Sequence, residues 1–466
     1  MSSDRSSAAV QPDPGQPRAS RPRSRGRCFA SSLRCLACVA LVLPLLARAD
    51  QFNLFGYGPR AAAMAGAQTA DANDYSAVFY NPALLVSWQD VNFGFHFQYY
   101  RMSDDVQAKD RAATLSCSLC SPPEAVGTSV GLLFPLAGKV KNRVAIGVGF
   151  YTPTGVLLRV TAPDPNTPYW YRYNSNPERL VAHLGAGIRL TDWLSIGLGV
   201  QALADLVGDG TDVQVDMFSK EVKKRAISAY LGTRVAPVFG VSVAPWKHLR
   251  FGANFRMEMK LHYVIPATVD LEGIGTLKFS VEGVAHYTPH TLTFGAAWDV
   301  TDQLTLSLDG EWMNWSAAPS PYVHLSIQLS GPTLAALGLD KAFDVSSADS
   351  LAGFADTLSV RLGSEYRLSD RFAARLGFSY RPTPVPKQSA LATNLLDGNT
   401  VGLAAGVGFN FPDPLEIFQH PIQIDVGLQA AFLLPREAIK DPTDLVPSYT
   451  YQARMYGGTI AVRYDF

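Results

Sequence analysis

The chain has 466 residues, and its 40 Lys and Arg residues balance 40 Asp and Glu residues, so that the formal net charge is zero. A neutral chain has no overall field with which to attract nucleic acid, and this class of partner is excluded. Charged residues make up only 17% of the sequence, below the roughly 25% of a soluble domain, while Gly, Tyr and Phe are abundant. These features favour one large all-β body over two or three soluble domains.

The first 49 residues have the features of an export signal. Five arginines between positions 18 and 27 precede an apolar run over 36–46, which is followed by an A-x-A site from Ala47 to Ala49. This order defines a secretory signal peptide, and the run is too short to span a bilayer. We therefore expect residues 1–49 to be a signal peptide. The long basic region leaves the true start codon open.

Four later segments share one design, in which two alternating strands flank a polar turn of two to four residues. They are Leu180–Ala204, Val241–Lys260, Thr291–Trp315 and Asp356–Arg381. In the third segment, Leu304, Leu306 and Leu308 alternate with polar residues through Glu311. An apolar period of two interrupted by a short turn predicts an antiparallel hairpin.

The connections between these hairpins are long, at about 160–178, 206–226, 263–284, 315–356, 382–398 and 434–452. Short turns at one end and long loops at the other are typical of an outer-membrane β-barrel, whereas a soluble sandwich has variable loops at both ends. Fourteen strands are predicted: 91–102, 126–136, 143–159, 179–190, 193–205, 227–243, 249–262, 285–299, 303–314, 357–368, 371–381, 400–411, 420–433 and 453–466. Because lipid offers no water to the backbone, the sheet must close on itself.

The last strand supports this interpretation. Ile460 and Val462 alternate with polar residues, and the chain ends on Phe466, as in strands that the barrel-assembly machinery recognises. We expect both residues, and the three leucines of the third hairpin, to face outer-membrane lipid. The predicted fold is an all-β, monomeric transmembrane barrel over residues 90–466.

Residues 50–89 do not alternate and consist mainly of small residues. A segment of this size is too short to build its own core. It is interpreted either as a plug inside the barrel or as a periplasmic leader.

This small-residue run contains Asp71 and Asp74 and leads into Asn81, Pro82 and Ala83. Here the chain resembles the FadL-type outer-membrane transporters, which take up long-chain fatty acids and, in some branches, aromatic hydrocarbons. The resemblance covers the mature chain, with further matches where 288–295 leads to 311–316 and 360–366 leads to 380–386. It implies that residues 50–89 form a hatch in the lumen, whose Asn-Pro-Ala motif lies against a kinked third strand.

In that family the third strand bends away from its neighbour and opens a lateral gap. The corresponding strand here contains Pro153 and Gly155. Proline cannot donate to a ladder and glycine permits a bend, which is consistent with a break in the strand. The pair is equally consistent with the simple end of the strand at the barrel rim.

No catalytic, cofactor or metal site is expected, because the eight histidines are scattered and lack a serine partner or metal-ligand spacing. Cys117 and Cys120 lie in the first external loop, and Ser121 stands where haem attachment requires His. The oxidising compartment favours a disulfide between them, with a redox or metal role as the alternative.

Two external loops are candidate ligand contacts. One carries Tyr169, Trp170 and Tyr171, which form either a patch for an apolar ligand or part of the interfacial aromatic girdle. The other carries Leu334 and Leu337 in a possible short helix, which either binds ligand or packs against a neighbouring loop.

Charged residues on the strand faces opposite the apolar set are expected to line the lumen, mostly as ion pairs. They are Arg189, Asp309, Glu311, Arg361, Glu365, Arg367, Arg375 and Arg463. The predicted function is passive uptake of hydrophobic compounds across the bacterial outer membrane, with long-chain fatty acids first among them. The alternatives are aromatic hydrocarbon uptake, a porin for polar solutes and an adhesin barrel. The sequence contains no motif that identifies the substrate.

Overall fold

The fold is taken from a computed structural model, which describes residues 51–110, 115, 121–154, 166–173, 179–216, 221–272, 274–346, 353–387, 393–413 and 420–466. The predicted signal peptide, Cys117, Cys120 and Gly155 lie outside the described residues. None of the helices in the described part of the chain is both long enough and apolar enough to cross a membrane.

The described part of the chain contains twenty strands. In chain order they are β1 Asn92–Ala108, β2 Ala125–Pro135, β3 Val144–Pro153, β4 Tyr169–Trp170, β5 Val181–Arg189, β6 Leu194–Asp216, β7 Glu221–Trp246, β8 Leu249–Arg256, β9 Met259–Glu272, β10 Gly275–Thr288, β11 Thr291–Asp299, β12 Leu304–Met313, β13 His324–Ser330, β14 Ala342–Ser346, β15 Thr357–Arg367, β16 Phe372–Arg381, β17 Leu395–Leu396, β18 Thr400–Phe411, β19 Ile422–Ala438 and β20 Tyr449–Asp465.

Fourteen of these strands form a closed antiparallel barrel. The order around the wall is β1-β2-β3-β5-β6-β7-β8-β11-β12-β15-β16-β18-β19-β20. The last strand pairs with the first from Asp465 opposite Asn92 to Tyr449 opposite Ala108, so the wall has no free edge. Each strand overlaps one of the fourteen predicted from the sequence, which confirms the predicted fold class. The predicted strands 249–262 and 285–299 were too long, because they include parts of β9 and β10.

The predicted division into lipid and lumen faces is also confirmed. Leu306 and Leu308 on β12 are 40% and 48% exposed, and Ile460 and Val462 on β20 are 49% and 47% exposed. Ser307 between these two leucines is 4% exposed, and Asp309 after Leu308 is fully inaccessible. Alternation of this kind places apolar side chains in lipid and polar ones inside.

Several predicted loops are instead strands. Because β6 and β7 continue to pair far beyond the barrel wall, much of the predicted loop 206–226 is a ladder. The predicted loop 263–284 falls within the hairpin of β9 and β10, and the predicted loop 315–356 contains β13 and β14. Antiparallel pairing satisfies backbone groups above the membrane as well as within it.

Short helices occupy the remaining positions. Residues 51–88 contain α1 Gln51–Phe55, α2 Pro59–Ala63, α3 Ala77–Tyr80 and a 3-10 helix Pro82–Ser87. Helix α4 Pro332–Ala336 lies between β13 and β14, and 3-10 turns cover Gly138–Val140 and Trp315–Ala317. Residues 51–88, called the lumen segment below, are almost entirely buried and lie inside the barrel.

The lipid face yields a direct test. Leu308→Arg places a charge midway along β12, where lipid exposure should cost about 2–4 kcal/mol. We expect a matching loss in the free energy of unfolding, measured by denaturant titration in lipid vesicles. The control is Leu304→Arg on the same face beside the short turn, where the cost should be about 0–1 kcal/mol. Equal losses for both variants would contradict this placement of the membrane.

Candidate functional site

Glycines line the barrel wall wherever the lumen segment touches it. A Cβ atom on Gly94 or on Gly131 would lie 1.9 Å from the ring of Tyr75. No real Cβ contact is that short, so only glycine allows the ring to lie against these strands. These glycines therefore leave space on the wall for the side chains of the segment.

The same arrangement extends around the lumen as a glycine belt, defined by the wall glycines whose added Cβ would come within 3.3 Å of the lumen segment. Its members are Gly94, Gly131, Gly147, Gly149, Gly185, Gly187, Gly197, Gly240, Gly252, Gly295, Gly363, Gly377, Gly406 and Gly427. Twelve of the fourteen wall strands contribute to it. The other two strands, β12 and β20, hold the segment through Asp309 and Arg463 instead.

Charged contacts anchor the segment to strands spread over the half of the barrel that runs from β8 to β20. Three ion pairs link Arg60 to Glu365 at 2.9 Å, Asp71 to Arg250 at 2.7 Å and Asp74 to Arg463 at 2.7 Å. Breaking a buried pair by removing one partner costs about 3–5 kcal/mol, because the remaining charge is left unpaired. These contacts fix the segment to β15, β8 and β20.

Asp309 adds a fourth anchor without a charge partner on the segment. One oxygen of its carboxylate accepts from the backbone nitrogens of Gln68 and Thr69, each at 3.0 Å, and from the Thr69 hydroxyl at 2.7 Å. A carboxylate that gathers three donors in a buried site fixes the local backbone.

The pKa of Asp74 indicates the pH range in which its ion pair with Arg463 is formed. Burial by itself raises the pKa of the Asp74 carboxyl, but Arg463 and the hydrogen bonds from Ser76 outweigh it, and the pKa lies below its ordinary value. A carboxyl whose pKa is lower in the folded state than in the unfolded state stabilises the fold above its unfolded pKa of about 3.9. This stabilisation is lost as the pH falls from there through the folded pKa. The anchor is therefore intact at neutral pH.

Asn81 joins the segment to the wall. Its side-chain amide donates to Thr69 O and to Val241 O of β7, both at 2.9 Å, and its oxygen accepts from the Ala83 nitrogen at 3.1 Å. A Cβ atom added to Gly240 would lie 2.2 Å from Asn81 Oδ1, and a Cβ atom added to Gly197 would lie 2.2 Å from Ala83 N.

The position of this motif differs from the one that the resemblance implied. Asn81, Pro82 and Ala83 lie against β5 to β8 rather than against the third strand. Leu85 and Val78 contact the third strand instead. A Cβ atom added to Gly147 of β3 would lie 2.5 Å from Leu85 and 3.1 Å from Val78. The segment therefore touches β3 through apolar side chains.

The third strand is described as far as Pro153, with a bend at Thr154. It stays paired with β5 through Tyr151 and with β2 through Pro153. The predicted continuation to residue 159, including Gly155, lies outside the described residues. A break in the strand and a simple end at the rim both stay predictions.

An aromatic cluster fills the space beside this strand end. Phe52 lies 4.2 Å from Tyr57, 5.4 Å from Phe79 and 5.9 Å from Tyr151, measured between ring centroids. The ring of His183 on β5 lies 5.5 Å from that of Phe52. On the side of β3 and β5, the segment is thus held mainly by aromatic and apolar packing, together with a hydrogen bond from Arg189 of β5 to Val86 O.

A cavity of about 80 Å³ lies against this cluster. Phe52, Phe55, Phe79 and Tyr80 of the lumen segment contribute to its lining. A polar wall faces them, in which Arg361 and Arg256 contact Glu311 at 2.5 Å and 3.5 Å. Ser359 Oγ and Asn254 Oδ1 also line it, and neither atom has a described hydrogen-bond partner.

Arg381 is the third arginine in the lining of this cavity. The lining holds the three guanidinium groups of Arg256, Arg361 and Arg381 and the single carboxylate of Glu311. Arg381 donates to the Tyr173 hydroxyl at 2.7 Å, and its Nε has no partner among the described residues. Three guanidinium groups therefore line the cavity beside one carboxylate, while Asp309 and Asp397, outside the lining, also interact electrostatically with Arg361 and Arg381.

A second cavity of about 490 Å³ lies at the short-turn end of the barrel. Its lining includes Asp71, Arg250, Asp299 and Arg367, so this side of the lumen segment is strongly polar. Arg250 also contacts Asp299 at 2.6 Å. The lumen segment thus separates a partly apolar cavity from a charged one.

The aromatic loop residues cap the opposite end. Tyr169 and Trp170 pair with Leu395 and Leu396 in a two-stranded parallel sheet and are 2% and 0% exposed. Tyr171 stacks on Phe354 at 5.3 Å. Such buried residues cannot form the interfacial girdle, and that interpretation is wrong.

The leucine-rich loop is a short helix, as its composition indicated. Leu334 is 8% exposed and packs against the turn at Gly275, where an added Cβ would lie 2.8 Å from its Cδ1. Leu337 is 67% exposed. Packing against a neighbouring loop therefore accounts for Leu334 but not for Leu337.

The lumen charges form the expected pairs, including Arg375 with Glu365 at 2.7 Å and with Asp425 at 2.5 Å. Within the described ranges, no group of three or more His, Cys, Asp or Glu residues could hold a metal ion.

Comparison with known proteins agrees with this architecture. A family model described as "Outer membrane protein transport protein (OMPP1/FadL/TodX)" matches residues 45–466. The chain belongs to this family. It is accordingly an outer-membrane transport protein for hydrophobic compounds, and the predicted family and location are confirmed. The family is one of transport channels rather than enzymes.

Individual relatives are distant. Alkane uptake protein A of Marinobacter nauticus is 21% identical over 424 residues, which cover 86% of this chain and 88% of that protein. A FadL homologue from Pseudomonas aeruginosa is 14% identical, with a TM-score of 0.57 over 88% of this chain and 98% of the other. The Ralstonia pickettii toluene transporter TbuX is 18% identical, with a TM-score of 0.53 over 89% and 100%. At these identities the solved structures show the fold alone.

The glycine belt predicts a sharp asymmetry between two glycines. Gly131→Ala should destabilise the barrel by about 1–3 kcal/mol or more, because its methyl group would overlap the Tyr75 ring. Gly310→Ala is the matched control, since an added Cβ there meets nothing within 4 Å. The measurement is denaturant unfolding in lipid vesicles. The double variant Gly131→Ala, Tyr75→Ala should regain part of the loss, and failure to do so would argue against the overlap.

Asn81 supplies a second prediction. Asn81→Ala removes the donor to Thr69 O and Val241 O, which should cost about 1–3 kcal/mol. The barrel should still assemble and stay heat-modifiable on gels, while proteolysis within the lumen segment and uptake of apolar solute change. The control is Asn73→Ala, whose side-chain oxygen has no described partner. Parental behaviour of Asn81→Ala would show that the motif does not hold the segment.

Proposed function

We propose that this transporter carries long-chain fatty acids, taken up from outside the cell and released into the outer membrane. The observation that carries the proposal is the charge balance of the cavity between the lumen segment and the outer cap. An apolar chain with one carboxylate matches a lining of aromatic rings beside surplus guanidinium groups.

Arg381 is the residue assigned to the carboxylate. Arg256 and Arg361 already share Glu311, whereas Arg381 donates only to a neutral hydroxyl among its described contacts. A guanidinium has five N–H donors in a planar fork, and it binds a carboxylate through two of them. Arg381 therefore retains donor capacity on the cavity side.

The aliphatic chain is assigned to the aromatic side of the cavity. Phe52, Phe55 and Phe79 present ring surface there, and burying a chain against them is favourable by about 0.8 kcal/mol for each methylene group. The chain would extend toward the cluster around Tyr151, beside the end of β3.

We propose that the lumen segment acts as a hatch that opens on this side. A fatty acid passing straight through would enter the charged cavity around Asp71 and Arg250, where an apolar chain is poorly solvated. Lateral release is proposed instead on the side of β3, where Pro153 and Gly155 mark the predicted break in the strand. In this proposal Tyr169, Trp170, Tyr171, Leu334 and Leu337 belong to the outer elements that a solute passes on entry.

Neutral hydrocarbons are the second candidate substrates. The observation in their favour is the likeness to a protein named for alkane uptake and to a toluene transporter. Under this alternative the aromatic cluster does the binding and Arg381 is a structural donor to Tyr173. For either substrate we infer a monomer that has no catalytic role and that the barrel-assembly machinery inserts.

Arg381→Gln separates the two substrates. A lost charge-assisted hydrogen bond of about 1.5–3 kcal/mol should raise the half-saturating concentration of oleate roughly tenfold or more. Uptake of hexadecane should stay at the parental rate. The measurement is uptake of the two radiolabelled compounds by cells that lack their own transporters.

The control is Arg371→Gln, an exposed arginine at the other end of the same strand. Oleate uptake unaffected by Arg381→Gln, or a parental chain that takes up hexadecane and no oleate, would favour the hydrocarbon alternative.

A further inference from the structure

The turn between β2 and β3 differs from the other short turns of the barrel. Eight residues, 136–143, separate these two strands, whereas two to four residues separate the strands at the β5–β6, β7–β8, β11–β12 and β15–β16 turns. The longer turn includes the 3-10 helix Gly138–Val140 and carries Lys139, Lys141 and Arg143. Antiparallel pairing needs only a tight connection, so the barrel wall does not account for the added residues.

The three cations, called the basic turn below, have no acidic counterpart in their own hairpin. Between Ala125 and Thr154 they are the only charged residues. All three side chains are exposed, and none of them forms a salt bridge within the described part of the chain. Three of the other short turns carry an aspartate instead, at Asp192, Asp302 and Asp370. Positive charge is therefore localised in one sector of the short-turn end of the barrel.

The basic turn begins where the lipid-facing surface of the wall ends. On β3, Val144 and Ile146 alternate with the buried Ala145 and Gly147. β2, which leads into the turn, has 11 residues, and a strand needs roughly 9–11 to cross a membrane. Because the short turns of such a barrel face the periplasm, Arg143 next to Val144 lies at the periplasmic boundary of the hydrocarbon region.

Exposed tryptophans on neighbouring turns mark the same level. The Arg189 nitrogen donates to the Arg143 carbonyl oxygen at 2.8 Å, so the β5–β6 turn adjoins the basic turn. Trp193 in the β5–β6 turn is 51% exposed, and Trp246, at the end of β7, is 65% exposed. Tryptophans of this kind lie among the lipid headgroups of a membrane. The basic turn is therefore at the level of the phosphate groups of the periplasmic leaflet.

Val140 adds an apolar side chain between the two lysines. It is 39% exposed, and the chain reverses around it through Gly138 and Asn142, whose φ angles are 76° and 63°. Lysine side chains have apolar stems that lie along apolar surface while their ammonium groups stay in a polar environment. The turn thus presents an apolar group and cations together, which is the combination that the border between acyl chains and phosphates requires.

We propose that the basic turn is a docking site for the phosphate group of an anionic phospholipid in the periplasmic leaflet. Lys139 and Lys141 contact the phosphate oxygens as point charges, and the Arg143 guanidinium donates to them through two nitrogens. The acyl chains lie along the lipid-facing columns of β2 and β3, where Val130 is 36% and Ile146 is 37% exposed. This site does not depend on the transported solute, so the inference goes beyond the proposed function.

The level and composition of the turn favour a membrane lipid over a soluble anionic partner. Anionic leaflets attract basic segments that lie within about one Debye length of the membrane surface, and this turn lies at that surface. The exposed Val140 between the lysines fits acyl chains and would be of no use to a purely polar partner. Because the charge is confined to the β2–β3 sector, the docked lipid borders the wall at the third strand.

The test measures lipid binding to the complete barrel in detergent micelles by native mass spectrometry. Phosphatidylglycerol is the probe, and phosphatidylcholine, which has no net charge, is the reference lipid. The double variant Lys139→Gln, Lys141→Gln removes two charges and should weaken phosphatidylglycerol binding roughly thirtyfold. The matched control Lys247→Gln, Arg371→Gln removes two exposed charges from other short turns and should bind as the parent does. Binding of phosphatidylcholine should be the same in all three proteins.

Heat-modifiability on gels verifies that both variants assemble. Parental binding of phosphatidylglycerol by the basic-turn variant, an equal loss in the control, or no preference of the parent for phosphatidylglycerol over phosphatidylcholine would overturn the proposal. So would binding of a soluble anionic muropeptide that the basic-turn variant loses while its phosphatidylglycerol binding is unchanged. Higher salt should weaken phosphatidylglycerol binding more in the parent than in the basic-turn variant, because salt screens exposed charges.

Discussion

Closure of the wall is the constraint on which the rest of this structure depends. Lipid provides no hydrogen-bond partners, so every strand must pair on both sides and the lumen acquires a fixed diameter. A segment of 38 residues inside that lumen can only be accommodated where wall side chains are absent. The glycine belt is the result, and it appears on twelve strands because the segment touches nearly the whole circumference. The two remaining strands replace close approach by charge, through Asp309 and Arg463.

The contacts of the lumen segment differ from one side of the barrel to the other. Toward β8, β15 and β20 it is held by buried charges, in which Arg60, Asp71 and Asp74 each meet a partner on the wall. Toward β3 and β5 it is held by Phe52 and its aromatic neighbours, whose pairwise contacts contribute about 0.5–1.5 kcal/mol beyond burial, and by one hydrogen bond from Arg189 to Val86 O, with no ion pair between the segment and these two strands among the described residues. An apolar solute can replace aromatic contacts with its own chain, but it cannot replace a salt bridge. Movement is therefore easier on the side of β3.

Sequence reasoning found the wall because lipid and lumen impose an alternation that any wall strand must obey. It failed above the membrane, where β9, β10 and β13 alternate just as clearly but were interpreted as loops, since no lipid-spanning role required them. Asn81 was found as a motif, yet its partner Val241 is 160 positions away, and no local pattern identifies that strand. The anchoring role of Tyr75 was missed, although Gly94 and Gly131 on neighbouring strands were a signal that something bulky lies between them. Tyr169 and Trp170 were recognised as aromatic, but their burial depends on pairing with 395–396.

The energetic difference between the two sides argues for local opening over expulsion of the whole segment. Removing the segment would separate three buried ion pairs, each of which costs about 3–5 kcal/mol to break, and would uncover the glycine-lined wall. Displacing Phe52 from Tyr57 and Phe79 disturbs only stacking and apolar burial, and a long aliphatic chain restores much of that burial. In the proposed route, the binding energy of the solute would act at the edge of the segment where it can substitute for what it displaces. The charged anchors would then stay in place and preserve the seal between the two cavities.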